Sequence, residues 1–185
     1  GLGIGGVAVA FASQAILGDL FSFFVILFDR PFEIGDTIVV DDLTGTVEHV
    51  GIKTTRVRSI GGEELIFSNT NLTNARVRNY KRMAQRRIVF KLGVTYQTSF
   101  ENIKEIPELL KSIISQQQDV RFDRSHFSSY GASALIYETV YTVLNSDYNK
   151  YMDIQQNINF KIKEEFDKRK IDFAYPTQTL FINKI

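Results

Sequence analysis

The chain has 185 residues, 44% of them hydrophobic, which suffices for one large core or two small ones. Its 22 Lys and Arg against 21 Asp and Glu leave a net charge of +1, so no global field draws it to nucleic acid or acidic substrates. It has no cysteine and only His49 and His126, which excludes a disulfide scaffold and a thiolate zinc site and argues against a histidine-rich metal centre.

The chain opens at Gly1 inside a hydrophobic run and reads as the tail of a longer one with membrane segments upstream. No Lys or Arg precedes the run and no small-residue cleavage site ends it, so it does not read as a signal peptide. Residues 1–28 carry one charge, Asp19, a length that crosses a bilayer or enters one and bends. The stretch divides at Gly18-Asp19 into a Gly/Ala-rich part and a bulky apolar part. Asp29-Arg30-Pro31 ends it, because proline disfavours helix at the residue before it.

On a helical wheel of about 100° per residue, Gly3, Val7, Phe11, Gln14 and Gly18 share one face. Gly5, Ala8, Ala12 and Ala15 flank it on one side and Gly6, Ala10 and Ser13 on the other; Leu2, Val9, Ile16 and Leu20 form the back. Small flanks let helices approach closely, with Gly6, Ala8, Ala10, Ala12, Ser13 and Ala15 as the packing residues. Two apolar rings followed by Gln14 suit a pore that closes by dewetting at Val7 and Phe11. An ordinary membrane span that lines nothing fits the wheel equally well. A soluble core helix fits less well, because so many glycines weaken a helix in water. Gln14 either lines a pore or hydrogen-bonds to a neighbouring helix. Asp19 either sits at a cytoplasmic mouth or caps the second helical segment. Gly1, Gly3 and Gly6 also match the G-x-G-x-x-G dinucleotide fingerprint, but no strand precedes them and the region where a second strand should lie reads as apolar helix.

From Phe32 the pattern changes to short strands at 36–40, 45–50, 53–59 and 63–69, with turns at 41–45, 51 and 61–62. This predicts a small antiparallel barrel or sandwich of about 55 residues. Residues 76–91 carry Arg76, Arg78, Lys81, Arg82, Arg86, Arg87 and Lys91 with no acid among them. A solvated connection making inter-subunit ion pairs, a positive lining that attracts anions or lipid headgroups, and an RNA surface are the three readings, in that order. Next come a strand at 87–95 and a helix at 99–118, with Ile103, Ile106, Leu109, Leu110, Ile113 and Ile114 inward and Ser99 as N-cap. Pro107 is expected to kink that helix or delay its start. Strands near 122–130 and 134–144 and a helix at 147–170 follow, with Tyr151, Ile154, Ile158, Ile162 and Phe166 inward, and then a last strand near 178–182. The order β-α-β-β-α-β is the ferredoxin-like split. No phosphate loop, HExxH, GxSxG or nucleophile–base constellation is present, so neither catalysis nor a cofactor is expected.

Several segments then resemble the small-conductance mechanosensitive channel family, in order along the whole chain. They are the Gly/Ala-rich helix with Gln14, Gly18-Asp19-Leu20-Phe21, and Phe28-Asp29-Arg30-Pro31-Phe32-Glu33-Ile34-Gly35-Asp36. Gly45-Thr46-Val47, Thr54-Thr55-Arg56, Ile66-Phe67-Ser68-Asn69 and the ending Asp172-Phe173-Ala174-Tyr175-Pro176-Thr177-Gln178-Thr179 continue the likeness. Ser68 stands where the family's turn has proline.

The resemblance implies upstream membrane helices, a pore-lining transmembrane helix with an interfacial segment (1–30), an Sm-like β domain (31–85) and an α/β ferredoxin-like cytoplasmic domain (86–185). Seven subunits usually enclose a vestibule with side portals. Val7 and Phe11 fall at the family's two seal positions, usually leucine, with Gln14 and Gly18 also lining the pore. Ala15 falls at the usual kink glycine, so the bend is expected at Ala15 or Gly18. Asp19, Phe28, Asp29, Arg30 and Pro31 would lie at the membrane interface. The implied partners are copies of the chain, membrane lipids, permeating ions and small osmolytes, with no nucleic acid. The implied place is the inner membrane, multi-pass, with residues after about 30 in the cytoplasm. The implied function is tension-gated release of ions and osmolytes on hypo-osmotic shock. The alternative is an Sm-like assembly or RNA-binding module with an anchoring helix.

Overall fold

The computed structural model describes residues 2–178, with side chains at all of these except 2–5, 8–10, 12 and 15. The chain divides into two units, residues 1–83 and 84–185.

In the first unit, helix α1 (Leu2–Asp29) runs without a break. It stops where Arg30 turns left-handed (φ 46°) and donates its N–H to the Ile26 carbonyl at 3.0 Å, just ahead of Pro31. Then follow strands β1 (Thr37–Val40), β2 (Leu43–Val50), β3 (Thr54–Ser59) and β4 (Glu64–Ser68), a short helix α2 (Asn69–Asn74) and strand β5 (Val77–Asn79). They form one antiparallel sheet in the order β4-β3-β2-β1-β5. Val40 faces Leu43 across a two-residue turn, Asp41-Asp42, in which Asp41 takes the positive φ (52°) that tight hairpins demand. At Gly45 the strands approach so closely that a Cβ would sit 2.4 Å from the Arg58 carbonyl oxygen, so no other residue fits. Period-two alternation puts Ile38, Val40, Val47 and Val57 into a core closed by Ile26, Phe32 and Leu72. The four expected strands are present, but α2 and β5 were not anticipated: 70–79 carries no apolar period long enough to announce them.

The second unit comprises β6 (Arg86–Val94), α3 (Phe100–Ser115), β7 (Val120–Tyr130), β8 (Leu135–Val143) and α4 (Tyr148–Arg169). The sheet order is β6-β8-β7, with β8 antiparallel to both neighbours. Ser99 caps α3, accepting the Asn102 N–H at 3.3 Å, and Asp147 caps α4, accepting the Asn149 N–H at 2.8 Å. Along the free edge of β6, Val94 pairs with Phe173; the Thr95 N–H bonds the Asp172 carbonyl at 3.1 Å and the Ala174 N–H the Gly93 carbonyl at 2.9 Å. One face of the sheet and both helices enclose the core, where Ile106, Leu110, Ile114, Tyr137, Tyr141, Ile158 and Phe166 are fully buried. The strand expected near 178–182 lies, apart from Gln178, outside the described residues.

Pro107 does not delay α3, which begins at Phe100, directly after its Ser99 cap, and continues through the proline. Proline has no N–H for the carbonyl four residues back, that of Ile103. The buried Tyr137 hydroxyl donates to that carbonyl at 2.9 Å and replaces the missing bond. Burial pushes the Tyr137 pKa up to about 12, so the phenol stays protonated and able to donate. Tyr137→Phe orphans a buried carbonyl and is expected to destabilise the protein by about 1–3 kcal/mol, read as a lower thermal unfolding midpoint.

Among the described residues, no helix is long and apolar enough to cross a membrane. The excluded side chains at 2–5, 8–10, 12 and 15 all belong to α1.

Candidate pore-lining helix and its anchor

The exposed face of α1 carries a shallow apolar groove of about 480 Å³ lined by Val7, Phe11, Gln14, Leu17, Gly18 and Phe21. These positions recur at three- and four-residue steps, so one stripe of a 3.6-residue helix holds them all. Val7 is 56% exposed, Phe11 72% and Phe21 66%, and Gln14 is the one polar side chain among them. Val7, Phe11, Gln14 and Gly18 were the residues singled out from the sequence; Leu17 and Phe21 extend their row by another turn. Gly6 is exposed and Ser13 half-buried, while the side chains of Ala8, Ala10, Ala12 and Ala15 lie outside the described set. A Cβ at Gly6 would meet nothing within 4 Å, so nothing described in this chain requires a glycine there. At Gly18 it would touch the Thr70 hydroxyl at 3.5 Å, an ordinary contact.

The other side of the helix is tethered. Asp19, Ser22 and Ile26, at i, i+3 and i+7, are buried while the groove face stays open. The Thr70 N–H donates to Asp19 Oδ1 at 3.1 Å, and the Ser22 and Thr73 hydroxyls bond at 2.9 Å. Asp19 is thus a cap, but not of its own helix: α1 is continuous there, and the carboxylate serves an open N–H in the first turn of α2. Nothing local in the sequence pointed to this pairing, because the two residues are 51 apart.

Helix α2 is fixed in turn. The Ser68 hydroxyl accepts the Asn71 N–H at 3.2 Å as N-cap. Asn69 is fully buried and uses its whole amide. Its Oδ1 accepts the Thr55 hydroxyl at 2.9 Å, and its Nδ2 donates to the Gly51 and Ile52 carbonyls at 2.8 and 2.9 Å. One side chain therefore locks α2 to the β2–β3 turn.

Around the helix end, Phe28, Asp29, Arg30 and Pro31 are exposed and Phe32 enters the core. Gly35 takes a positive φ (88°), and its N–H bonds the Val47 carbonyl at 2.8 Å. Asp36, buried at 4% exposure, accepts the Glu33 N–H at 3.0 Å and the Asn79 amide at 2.7 Å, and pairs with the Lys81 ammonium at 3.3 Å. The same Asn79 amide reaches the Pro31 carbonyl at 3.2 Å, and the Arg82 guanidinium donates to that of Arg30. Of the basic run, then, Lys81 and Arg82 fasten β5 to the helix end.

Burial pushes the Asp36 carboxyl up, but the Asn79 amide, the Glu33 N–H and Lys81 outweigh it and hold the group below the usual carboxylate range. Such a group contributes stability above its unfolded pKa and loses it as pH falls through the folded one. Asp36→Asn should therefore lower the unfolding midpoint at pH 7 and flatten its fall upon acidification below about pH 4. Unchanged pH dependence in the variant would contradict this.

Two family models match the chain: the mechanosensitive ion channel beta-domain at residues 15–82 and the mechanosensitive ion channel MscS C-terminal domain at 88–173. The large-conductance mechanosensitive channel MscMJLR of Methanocaldococcus jannaschii is 36% identical over 100% of this chain and 52% of its own length. The small-conductance channel MscMJ of the same organism is 35% identical, again over 100% of this chain and 53% of its own. The low conductance mechanosensitive channel YnaI of Escherichia coli is 30% identical over 99% of this chain and 54% of its own. The chain thus spans about half the length of these relatives, and their names give three different conductance classes. In fold it is similar to Arabidopsis thaliana MSL1 (TM-score 0.81, 22% identity, 94% of this chain and 64% of that one). It is likewise similar to the closed-state crystal structure of Helicobacter pylori MscS (TM-score 0.78, 22% identity, 100% and 72%). With both domain models matched in order and relatives aligned end to end, the chain belongs to the MscS family of mechanosensitive ion channels, a family of channels and not of enzymes.

Proposed function

We propose that this chain is the pore helix and the water-facing domains of a tension-gated, homo-oligomeric membrane channel. The observation that carries the reading is the open apolar row of Val7, Phe11, Leu17 and Phe21, set on a helix whose opposite side is bonded to the first sheet. A lone helix in water would not leave such a row uncovered. In a ring of copies, each row faces a central axis and each Gly6–Ser13 flank meets a neighbour.

 In that arrangement the row of apolar side chains narrows the lumen and expels water, which blocks ions when the bilayer is relaxed. Stretching the bilayer favours the state of larger in-plane area, so the helices tilt, the constriction widens and water enters. The bonds of Asp19 to Thr70 and of Ser22 to Thr73, with Ile26 in the core, carry that movement into the β domain.

The membrane placement of residues 1–30 rests on their single ionisable side chain before the helix end, Asp19, which is turned away from the groove and bonded to α2. Phe28 to Pro31 would then lie at the inner interface, with residues after about 30 in the cytoplasm and a bend at Ala15 or Gly18 on gating. The meander closed by β5 against β1 supports an Sm-like barrel. The order β6-β8-β7 with the Val94–Phe173 pairing supports the ferredoxin-like split. Seven copies, lipid contacts, and release of ions and osmolytes on osmotic downshock complete the reading. Patch recording of the full-length protein under suction tests it. Stepwise currents that rise with pressure are expected, and silence at pressures that open a control channel would overturn it.

A further inference from the structure

The second sheet has two unlike faces. Leu135, Tyr137, Tyr141 and Val143 of β8 point into the core, and the Tyr137 and Tyr141 hydroxyls bond Ile103 of α3 and Gln155 of α4. Ile88, Phe90 and Leu92 of β6, and Val120, Phe122 and Phe127 of β7, pack on the same core. The intervening residues therefore stand on the opposite face, which neither helix covers. There Thr142 has Arg87 and Arg121 as its cross-strand neighbours, Val140 has Val89 and Arg124, and Glu138 has Lys91 and His126.

We propose that this open face of the β6-β8-β7 sheet binds an oligophosphate anion through Arg87, Lys91, Arg121 and Arg124. Four cations stand there against Glu138 and against Asp123 in the adjoining bulge. Glu138 is shared, pairing with Lys91 at 3.5 Å and with Arg124, so it cannot neutralise both. Among the described residues, Arg87 and Arg121 make no ion pair. Both are exposed, while Thr142 between them is 5% exposed and Val140 fully buried. Strand spacing puts the Arg87 and Arg121 backbones about 10 Å apart, a span that one phosphate does not bridge and a chain of phosphates does. Guanidinium groups suit this ligand because each can bond two oxygens of one phosphate in a plane. The face also argues against single-stranded RNA. Sheets that read RNA stack bases on exposed aromatics, and here Phe90, Phe122, Phe127, Tyr137 and Tyr141 all lie on the helix-covered side.

The test is calorimetric titration of the full-length protein in lipid nanodiscs with inorganic tripolyphosphate, in magnesium-free buffer at low and at physiological salt. Saturable binding that weakens with salt is expected. Arg87→Gln with Arg121→Gln should weaken it at least about tenfold, as two charge-assisted contacts are lost. Glu138→Gln should tighten it several-fold by freeing Lys91 and Arg124, a gain that damage to the fold does not produce. Arg56→Gln, in the first unit, should leave it unchanged. Binding that does not saturate, a double variant that binds like the parent, or weaker binding by Glu138→Gln would each overturn the proposal. So would a ten-nucleotide RNA that binds more tightly than tripolyphosphate.

Discussion

Replacing Phe11 by Ser in the full-length protein is expected to lower the pressure at which the channel opens and to add a leak at rest. Phe11 is the most exposed of the large apolar side chains in the α1 groove, at 72%, with Val7 one turn away at 56%. In the proposed ring these side chains keep water out of the constriction, and water exclusion is what holds an apolar gate shut. Exchanging the phenyl ring for a hydroxyl removes about 1.5–3 kcal/mol of apolar burial per copy and places a hydrogen-bonding group where water must enter. The effect multiplies over the subunits. Val7→Ser should act in the same direction and more weakly, since valine is smaller. Single-channel recording at stepped suction reads both threshold and leak. An unchanged threshold with no leak in Phe11→Ser would remove Phe11 from the gate.

Asn69→Ala is expected to have the largest effect on stability. The amide is fully buried and satisfies three groups at once: the Thr55 hydroxyl and the Gly51 and Ile52 carbonyls. At about 1–3 kcal/mol for each buried group left unpaired, the loss comes to about 3 kcal/mol or more. For a protein of this length that corresponds to a fall in unfolding midpoint of roughly 6–12 °C. Asn69→Asp should be no milder, because it replaces a donor with a negative charge facing two carbonyl oxygens. Since α2 carries the bonds to Asp19 and Ser22, Asn69→Ala should also shift the pressure threshold. A variant with the parent's midpoint would contradict the role given to this amide.

What the sequence made legible follows from the range over which each signal acts. β-Branched-rich runs between turn residues announced β1 to β4, and period 3.6 with Ser99 and Asp147 at the starts announced α3 and α4, because those patterns are local. The helical wheel likewise groups Val7, Phe11, Gln14 and Gly18 on one face, and the groove on α1 holds all four. What stayed hidden depends on residues distant in sequence. Asp19 read either as a residue at a pore mouth or as a cap of its own helix, and the N–H it accepts is 51 positions on. Pro107 read as a kink or a delayed start, and the residue that replaces its missing bond, Tyr137, is on another element 34 positions from Ile103. Ser68 and Asn69 were noticed as part of a family turn, but nothing in their neighbourhood revealed a buried amide with three partners. The basic run at 76–91 read as one feature. It is divided among different tasks: Lys81 and Arg82 close the helix end, and Arg87 and Lys91 stand on the open face of the second sheet.

The central claim, that the groove face of α1 lines the conducting path, is tested most directly by single cysteines, since residues 1–185 contain none. Val7→Cys, Phe11→Cys, Gln14→Cys and, on the opposite side of the helix, Ile16→Cys would each be placed in a full-length protein without other cysteines. A charged, water-soluble thiol reagent would be applied while suction holds the channel open. Current should fall in the Val7, Phe11 and Gln14 variants and persist in the Ile16 variant. Block at Ile16 with no effect at the other three would contradict the account.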